Sequence, residues 1–225
     1  MSPTSPVLNW IVDHRPTVSP VGDQGPRQTC LAWAATAAHE QHVRDALSVE
    51  YLHWASDPPA GARGTLPGLV SGLGNKGQPP AAQWTYDEDL DETAATYMPP
   101  SSITGPFRRS LIRIVDESPD GLIKELSEDR LPIAGIRVTQ ALLTAPGGMV
   151  DGSDAGTDGH AVAVVGVAET VVPLASIPTG ARLICVRNSW GPTWGTKGYA
   201  LVTETAWAAC VVFAVVLEPA TASAR

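Results

Sequence analysis

Along the chain, apolar positions follow two regimes. Residues 29–47 run Thr-Cys-Leu-Ala-Trp-Ala-Ala-Thr-Ala-Ala-His-Glu-Gln-His-Val-Arg-Asp-Ala-Leu, rich in alanine and free of glycine and proline. That predicts one helix, since alanine favours coiling and nothing interrupts the hydrogen-bond ladder. The first half is apolar nearly all round and predicts burial on most faces. The polar residues from His39 to Asp45 predict that the far end emerges toward solvent. Cys30 stands at the buried, N-terminal end. Ser48 can cap a second, short helix through Tyr51 and Trp54, which Asp57-Pro58-Pro59 stops, and a third follows Gly64-Thr65-Leu66-Pro67. Ser118-Pro119-Asp120 writes another start, with a capping hydroxyl, an early proline and an acid in the first turn.

Beyond about residue 106 the pattern changes to short apolar, β-branched runs at 111–115, 131–138, 161–167, 183–186 and 210–216, separated by turn residues. Helices followed by strands, rather than strict alternation, predict an α+β protein. The expectation is one domain over 1–225, with a mainly helical lobe at about 25–105. The N-terminal segment joins about 106–225 in a mainly β lobe, and a cleft between the lobes would hold the site.

Composition narrows the function. With 15 Lys and Arg against 23 Asp and Glu, the net charge of -8 leaves no basic stripe to displace counterions, so neither nucleic acid nor an anionic membrane is an expected partner. The apolar runs 161–168 and 210–217 are too short to cross a bilayer. The first ten residues lack the basic and apolar regions of a secretory signal, and three cysteines are too few for a disulfide framework. Both point to a reducing, cytoplasmic setting, and the sequence calls for no cofactor or metal.

A thiol acts as a nucleophile only as thiolate, and a helix N-terminus lowers its pKa from roughly 8.5. Cys30 occupies such a place, and Cys185 and Cys210 lie in apolar runs that predict plain packing. His39-Glu40-Gln41-His42 lacks the second histidine four residues on that a zinc helix needs, and is expected to be a solvated face. The acidic run 87–92 fits no calcium loop and is expected to be a solvated surface.

Around Cys30 a larger pattern assembles. Asp23-Gln24-Gly25 precedes it, Asp158-Gly159-His160 opens an apolar run, and 188–199 read Asn-Ser-Trp-Gly-Pro-Thr-Trp-Gly-Thr-Lys-Gly-Tyr. Cys30 to His160 is 130 residues, within the roughly 130 to 150 of this layout. The chain resembles papain-like cysteine peptidases of the C1 family over nearly its full length. The matches run from Val12-Asp13-His14-Arg15 through Gly64-Thr65-Leu66-Pro67 to the Asn-Ser-Trp-Gly segment.

The resemblance implies a helical lobe and a β-barrel-like lobe with the active-site cleft between them. It implies Cys30 as nucleophile of an acyl-enzyme mechanism, His160 as its base, and Asn188 orienting that base. Gln24 and the Cys30 amide would receive the oxyanion, and Trp190 would shield the His160–Asn188 bond. Gly64, Thr65, Gly159 and Trp190 would border the substrate, a peptide or protein. The apolar run near 211–216 would form a pocket for the residue before the cleaved one. Arg27 replaces a disulfide cysteine of the family, Gln28 and Thr65 replace glycines along the substrate channel, and Gly159 stands where Asp or Asn is usual. Only about a dozen residues precede the mature-like start, so a short form without propeptide is expected, restrained by a partner protein or domain. An acyl transferase or peptide ligase using the same thioester, and a catalytically silent peptide-binding module, stay open at this point.

Overall fold

A computed structural model describes residues 7–59, 61–152, 154 and 156–220. The alanine-rich stretch forms α1 (Cys30–Val43), which ends where Arg44 takes a left-handed φ of 57° and returns its N–H to the Glu40 carbonyl. The predicted continuation to Leu47 does not occur. Leu47 bridges to Pro80, and its N–H is taken by Glu40 Oε1 at 2.9 Å. The polar half of α1 turns to solvent only in part, with Glu40 and His42 half-buried and Arg44 exposed at its end. His39 and Gln41 are both buried, His39 against Gln78 Oε1 at 2.9 Å and Gln41 donating to Asp129 Oδ1 at 2.6 Å. Their partners lie 39 and 88 residues away, which a local pattern cannot display.

The caps predicted at Ser48 and Ser118 are made, and Thr65 adds a third. Ser48 Oγ accepts from Tyr51 N at 3.0 Å to open α2 (Val49–Ala55), Thr65 Oγ1 from Gly68 N at 3.2 Å to open α3 (Leu66–Ser71), and Ser118 Oγ from Gly121 N at 3.2 Å to open α4 (Pro119–Ser127). Each satisfies a first-turn N–H that has no intrahelical acceptor. Two short helices come later, α5 (Gln140–Thr144) and α6 (Glu204–Cys210). Cys210 closes α6 instead of opening the last strand.

Eight strands form one sheet: β1 (Leu8–Asp13), β2 (Ser110–Val115), β3 (Ile133–Arg137), β4 (Met149–Val150), β5 (Gly159–Thr170), β6 (Arg182–Arg187), β7 (Tyr199–Thr203) and β8 (Val211–Pro219). The order is β2-β8-β3-β5-β6-β7-β4, with β1 added to β5. Among the described residues β2 and β4 are open ends, so the barrel-like lobe does not close through hydrogen bonds. The fold is α+β, and the N-terminal segment, as strand β1, lies on the sheet side. The apolar face of α1 shares a core with Val162 and Val164 of β5, which brings the α1 N-terminus beside the start of that strand. Because β5 and β6 are antiparallel, with Ala163 opposite Arg187, the first residues of β5 also lie beside the residue following β6. That register carries Cys30, His160 and Asn188 to one place.

The acidic run is only partly a solvated surface. Arg27 donates to both Glu50 oxygens at 2.7 Å, to Glu92 Oε1 at 2.6 Å and to the Asp87 carbonyl at 2.6 Å. Tyr97 donates to Glu50 Oε1 at 2.8 Å, and His53 Nε2 stands 3.1 Å from Glu92 Oε2. The side chains of Arg27, Glu50 and Glu92 are 7% exposed or less. A buried guanidinium thus fastens 87–92 to α2 and to the segment entering α1, where the resemblance implied that a disulfide was lost.

Candidate active site

Cys30 opens α1 and is 6% exposed. Burial raises its pKa. The N–H groups of Ala161 and Leu31 and the charge of Arg63 act in the opposite direction. The Ala161 contact places the sulfur against β5, one residue from His160.

His160 is 8% exposed, and its Nε2 donates to Asn188 Oδ1 at 2.6 Å. An amide oxygen can only accept, so the neutral ring carries its proton on Nε2, and Nδ1 is the nitrogen available to a thiol. Asn188 is itself held by Ser189 N, which donates to the same oxygen at 2.8 Å. Burial pulls the imidazole down to about 4, Asn188 opposing and Arg63 adding to the fall. Taken singly, each group would be neutral. Proton transfer between them creates two charges that stabilise one another, so their ionisation belongs to the pair. Trp190 covers the imidazole, ring centroids 4.5 Å apart, and Trp194 meets Trp190 edge-on at 5.7 Å.

Gln24 is buried, and both ends of its amide are fixed. Oε1 accepts from Ser189 Oγ at 2.8 Å, and Nε2 donates to the Arg27 carbonyl at 2.7 Å, leaving a second N–H free for an oxyanion. Its backbone N–H donates to the Ser189 carbonyl at 2.8 Å, tying the loop before α1 to the one after β6. A Cβ on Gly22 would lie 2.1 Å from the Trp33 ring, so only glycine lets this loop lie on α1. Ser189, a motif letter in the sequence, is here a positioning residue for Gln24.

Cys30 and His160 line one cavity of about 250 Å³. Gly64, Thr65 and Gly159 line it too, and Val212 and Phe213 give it an apolar wall with Leu66, Ile136 and Ala161. Trp190, expected against substrate, is not among the lining residues, because its ring is occupied by His160 and Trp194. Arg63 does line it and had no signal in the sequence, since the pattern gave its neighbours Gly64 and Thr65 instead. The other thiols fit packing: burial pushes Cys185 up to about 12 and Cys210 up to about 11. Among the described residues no cluster of three His, Cys, Asp or Glu is arranged to hold a metal, and no helix is long and apolar enough to cross a membrane.

A buried thiol at a helix N-terminus, sharing a cavity with an imidazole held by an asparagine just past the neighbouring strand, defines a papain-like cysteine centre. Comparison with known proteins gives the same class. The family model described as papain family cysteine protease matches residues 108–219, which include His160 and Asn188. A cysteine proteinase of Theileria annulata is 27% identical over 205 residues, covering 88% of this chain and 43% of that protein. The Carica candamarcensis cysteine protease CMS1MS2, solved in complex with E-64, superimposes with a TM-score of 0.71 at 21% identity over 95% of this chain and 99% of that one. Xylellain, a cysteine protease from Xylella fastidiosa, gives 0.70 at 19% identity over 95% and 86% of the two chains. The chain belongs to the papain family of cysteine proteases, and it spans less than half the length of the curated relative it matches.

Proposed function

We propose that this protein is a cysteine-type peptidase that hydrolyses peptide bonds through a Cys30 acyl-enzyme. The observation that carries the reading is the single cavity shared by Cys30 and an Asn188-held His160. Cys30 gives its proton to His160 Nδ1, and the thiolate attacks the carbonyl carbon. The oxyanion is received by the free N–H of Gln24 and the Cys30 amide. Imidazolium then protonates the leaving amine, and water activated by His160 cleaves the thioester to release the acid and restore the thiol. The substrate is a peptide or protein whose residue before the cleaved one is apolar, in keeping with Ile136, Ala161, Val212 and Phe213. The reading includes a partner protein or domain as restraint. It also includes a cytoplasmic setting, supported by three cysteines that are all unpaired.

A limiting thiol alkylator at about pH 5, where ordinary thiols are protonated, tests the pair. The expected result is one adduct, at Cys30, lost in His160→Ala. Equal labelling of Cys30, Cys185 and Cys210 would sink the assignment. Peptide cleavage that yields free acid, with no trapping by added amine, separates hydrolysis from acyl transfer.

A further inference from the structure

Arg63 is the one permanently charged side chain among the described residues lining the cavity that holds Cys30 and His160. The rest of the lining is largely apolar, and the chain as a whole carries a charge of -8, so a cation here is a local exception. Its guanidinium is aimed by Gln28, whose Oε1 accepts from Nε at 2.9 Å. It crosses from the helical side to the sheet side, since a Cβ on Gly159 would lie 3.7 Å from Nη1. The Gln28 bond uses one of its five N–H donors and leaves four. The nearest carboxylate, Asp158, is 3.7 Å from Nη2, beyond hydrogen-bond range, and the two side chains are 45% and 75% exposed. So loose a pair contributes little and yields readily to a better-placed acid.

Resting on the peptidase reading, we propose that Arg63 selects substrates with an acidic side chain on the residue whose carbonyl Cys30 attacks. That residue is bonded to the sulfur in the acyl-enzyme, so its side chain leaves the cavity beside Cys30, where the guanidinium stands. A carboxylate there can take two parallel N–H bonds from the face that Asp158 only approaches. Arg63 also exerts its field on Cys30 and on His160, which locates the charge at the reacting groups.

The test compares three fluorogenic peptides that differ only at this residue, carrying Glu, Gln or Lys, on the full chain and on Arg63→Gln and Arg63→Glu. Because Arg63 is exposed, both variants are expected to fold, and thermal melts verify this. The expected kcat/KM favours Glu over its neutral isostere Gln by roughly tenfold, from charge-assisted hydrogen bonds at a half-exposed site. Arg63→Gln brings the ratio to about one and Arg63→Glu turns the preference to Lys, and moving Glu one residue to either side removes the gain. Cleavage of the Gln peptide with no preference for Glu, or a preference that survives Arg63→Gln, overturns this proposal and leaves the peptidase reading intact. Failure of every peptide, acidic or neutral, overturns both.

Discussion

Two buried histidines make the same bond and serve different ends. His39, inside α1, holds its Nδ1 2.9 Å from Gln78 Oε1, and His160, on β5, holds its Nε2 2.6 Å from Asn188 Oδ1. Burial pulls both down to about 4. The difference lies in the second nitrogen. His39 Nε2 is buried without a hydrogen-bond partner among the described residues, so a proton there would have no acceptor and no counter-charge. The His160 ring lines a cavity with a thiol, so the proton it receives leaves an anion beside it. An imidazole fixed by an amide is therefore not in itself a catalytic feature, and what faces its free nitrogen decides.

Exchanging the two sites should separate the roles most sharply. On the proposed reading, His160→Ala lowers turnover on the order of 10⁴-fold or more and changes the melting temperature little, since the ring serves the chemistry. His39→Ala should lower stability by about 2–4 kcal/mol, from a cavity plus a Gln78 oxygen left without its donor. Its turnover per folded molecule should stay as in the parent. Chemical denaturation and active-site titration on both variants measure this. A His39→Ala protein that folds fully but has lost turnover would break the contrast.

A smaller loss tests the donors around the thiol. Gln24→Ala should cost about 3–4 kcal/mol of transition-state stabilisation, seen in kcat with the fold retained. Ser189→Ala removes only the hydroxyl that holds Gln24 Oε1, and should cost less than Gln24→Ala. Once Gln24 is gone, Ser189→Ala should add little, because neighbours that act as a unit are not additive. A double variant whose losses simply sum would show that Ser189 acts elsewhere.

Legibility in the sequence followed the range of the interactions. Ser48, Thr65 and Ser118 cap helices through bonds to residues three positions on; the Ser48 and Ser118 caps were readable, and at Thr65 the helix start was read without its cap. Cys30, His160 and Asn188 were readable because their spacing and flanking letters form a pattern, although the sheet register that unites them was not. What local pattern could not give was pairing across the chain. Arg27 was legible only as the replacement of a family cysteine, yet its partners lie 23 to 65 residues away, and they turn part of an acidic run into buried structure. Strand β1 escaped notice because its period of alternate burial is short and broken by a register shift between Trp10 and Val12. Helix α6 was partly absorbed into the apolar run that follows it, with Cys210 on the boundary. Arg63 was invisible because a lone arginine gains meaning only from the cavity it enters.

The last test of the two histidines is their response to acid. Gln78 Nε2 donates to Thr36 Oγ1 at 2.7 Å and to the Ser48 carbonyl at 2.9 Å, so Oε1 is its acceptor end and the neutral His39 ring donates from Nδ1. The folded value of about 4 lies below the 6.5 of the free side chain, with burial as the largest cause and His42 and Arg108 adding to it. The unfolded chain therefore binds the proton more readily. The contribution of His39 is fully present above about pH 6.5 and is lost as pH falls through about 4. At full extent it amounts to about 3 kcal/mol. His39→Phe removes the titrating group, so the drop in unfolding free energy between pH 7 and pH 4 should shrink by about that amount whatever the variant's stability at pH 7. An unchanged drop would mean that His39 binds its proton in the folded state. It would then be the partnerless nitrogen of His39, not the ring beside Cys30, that is open to acid.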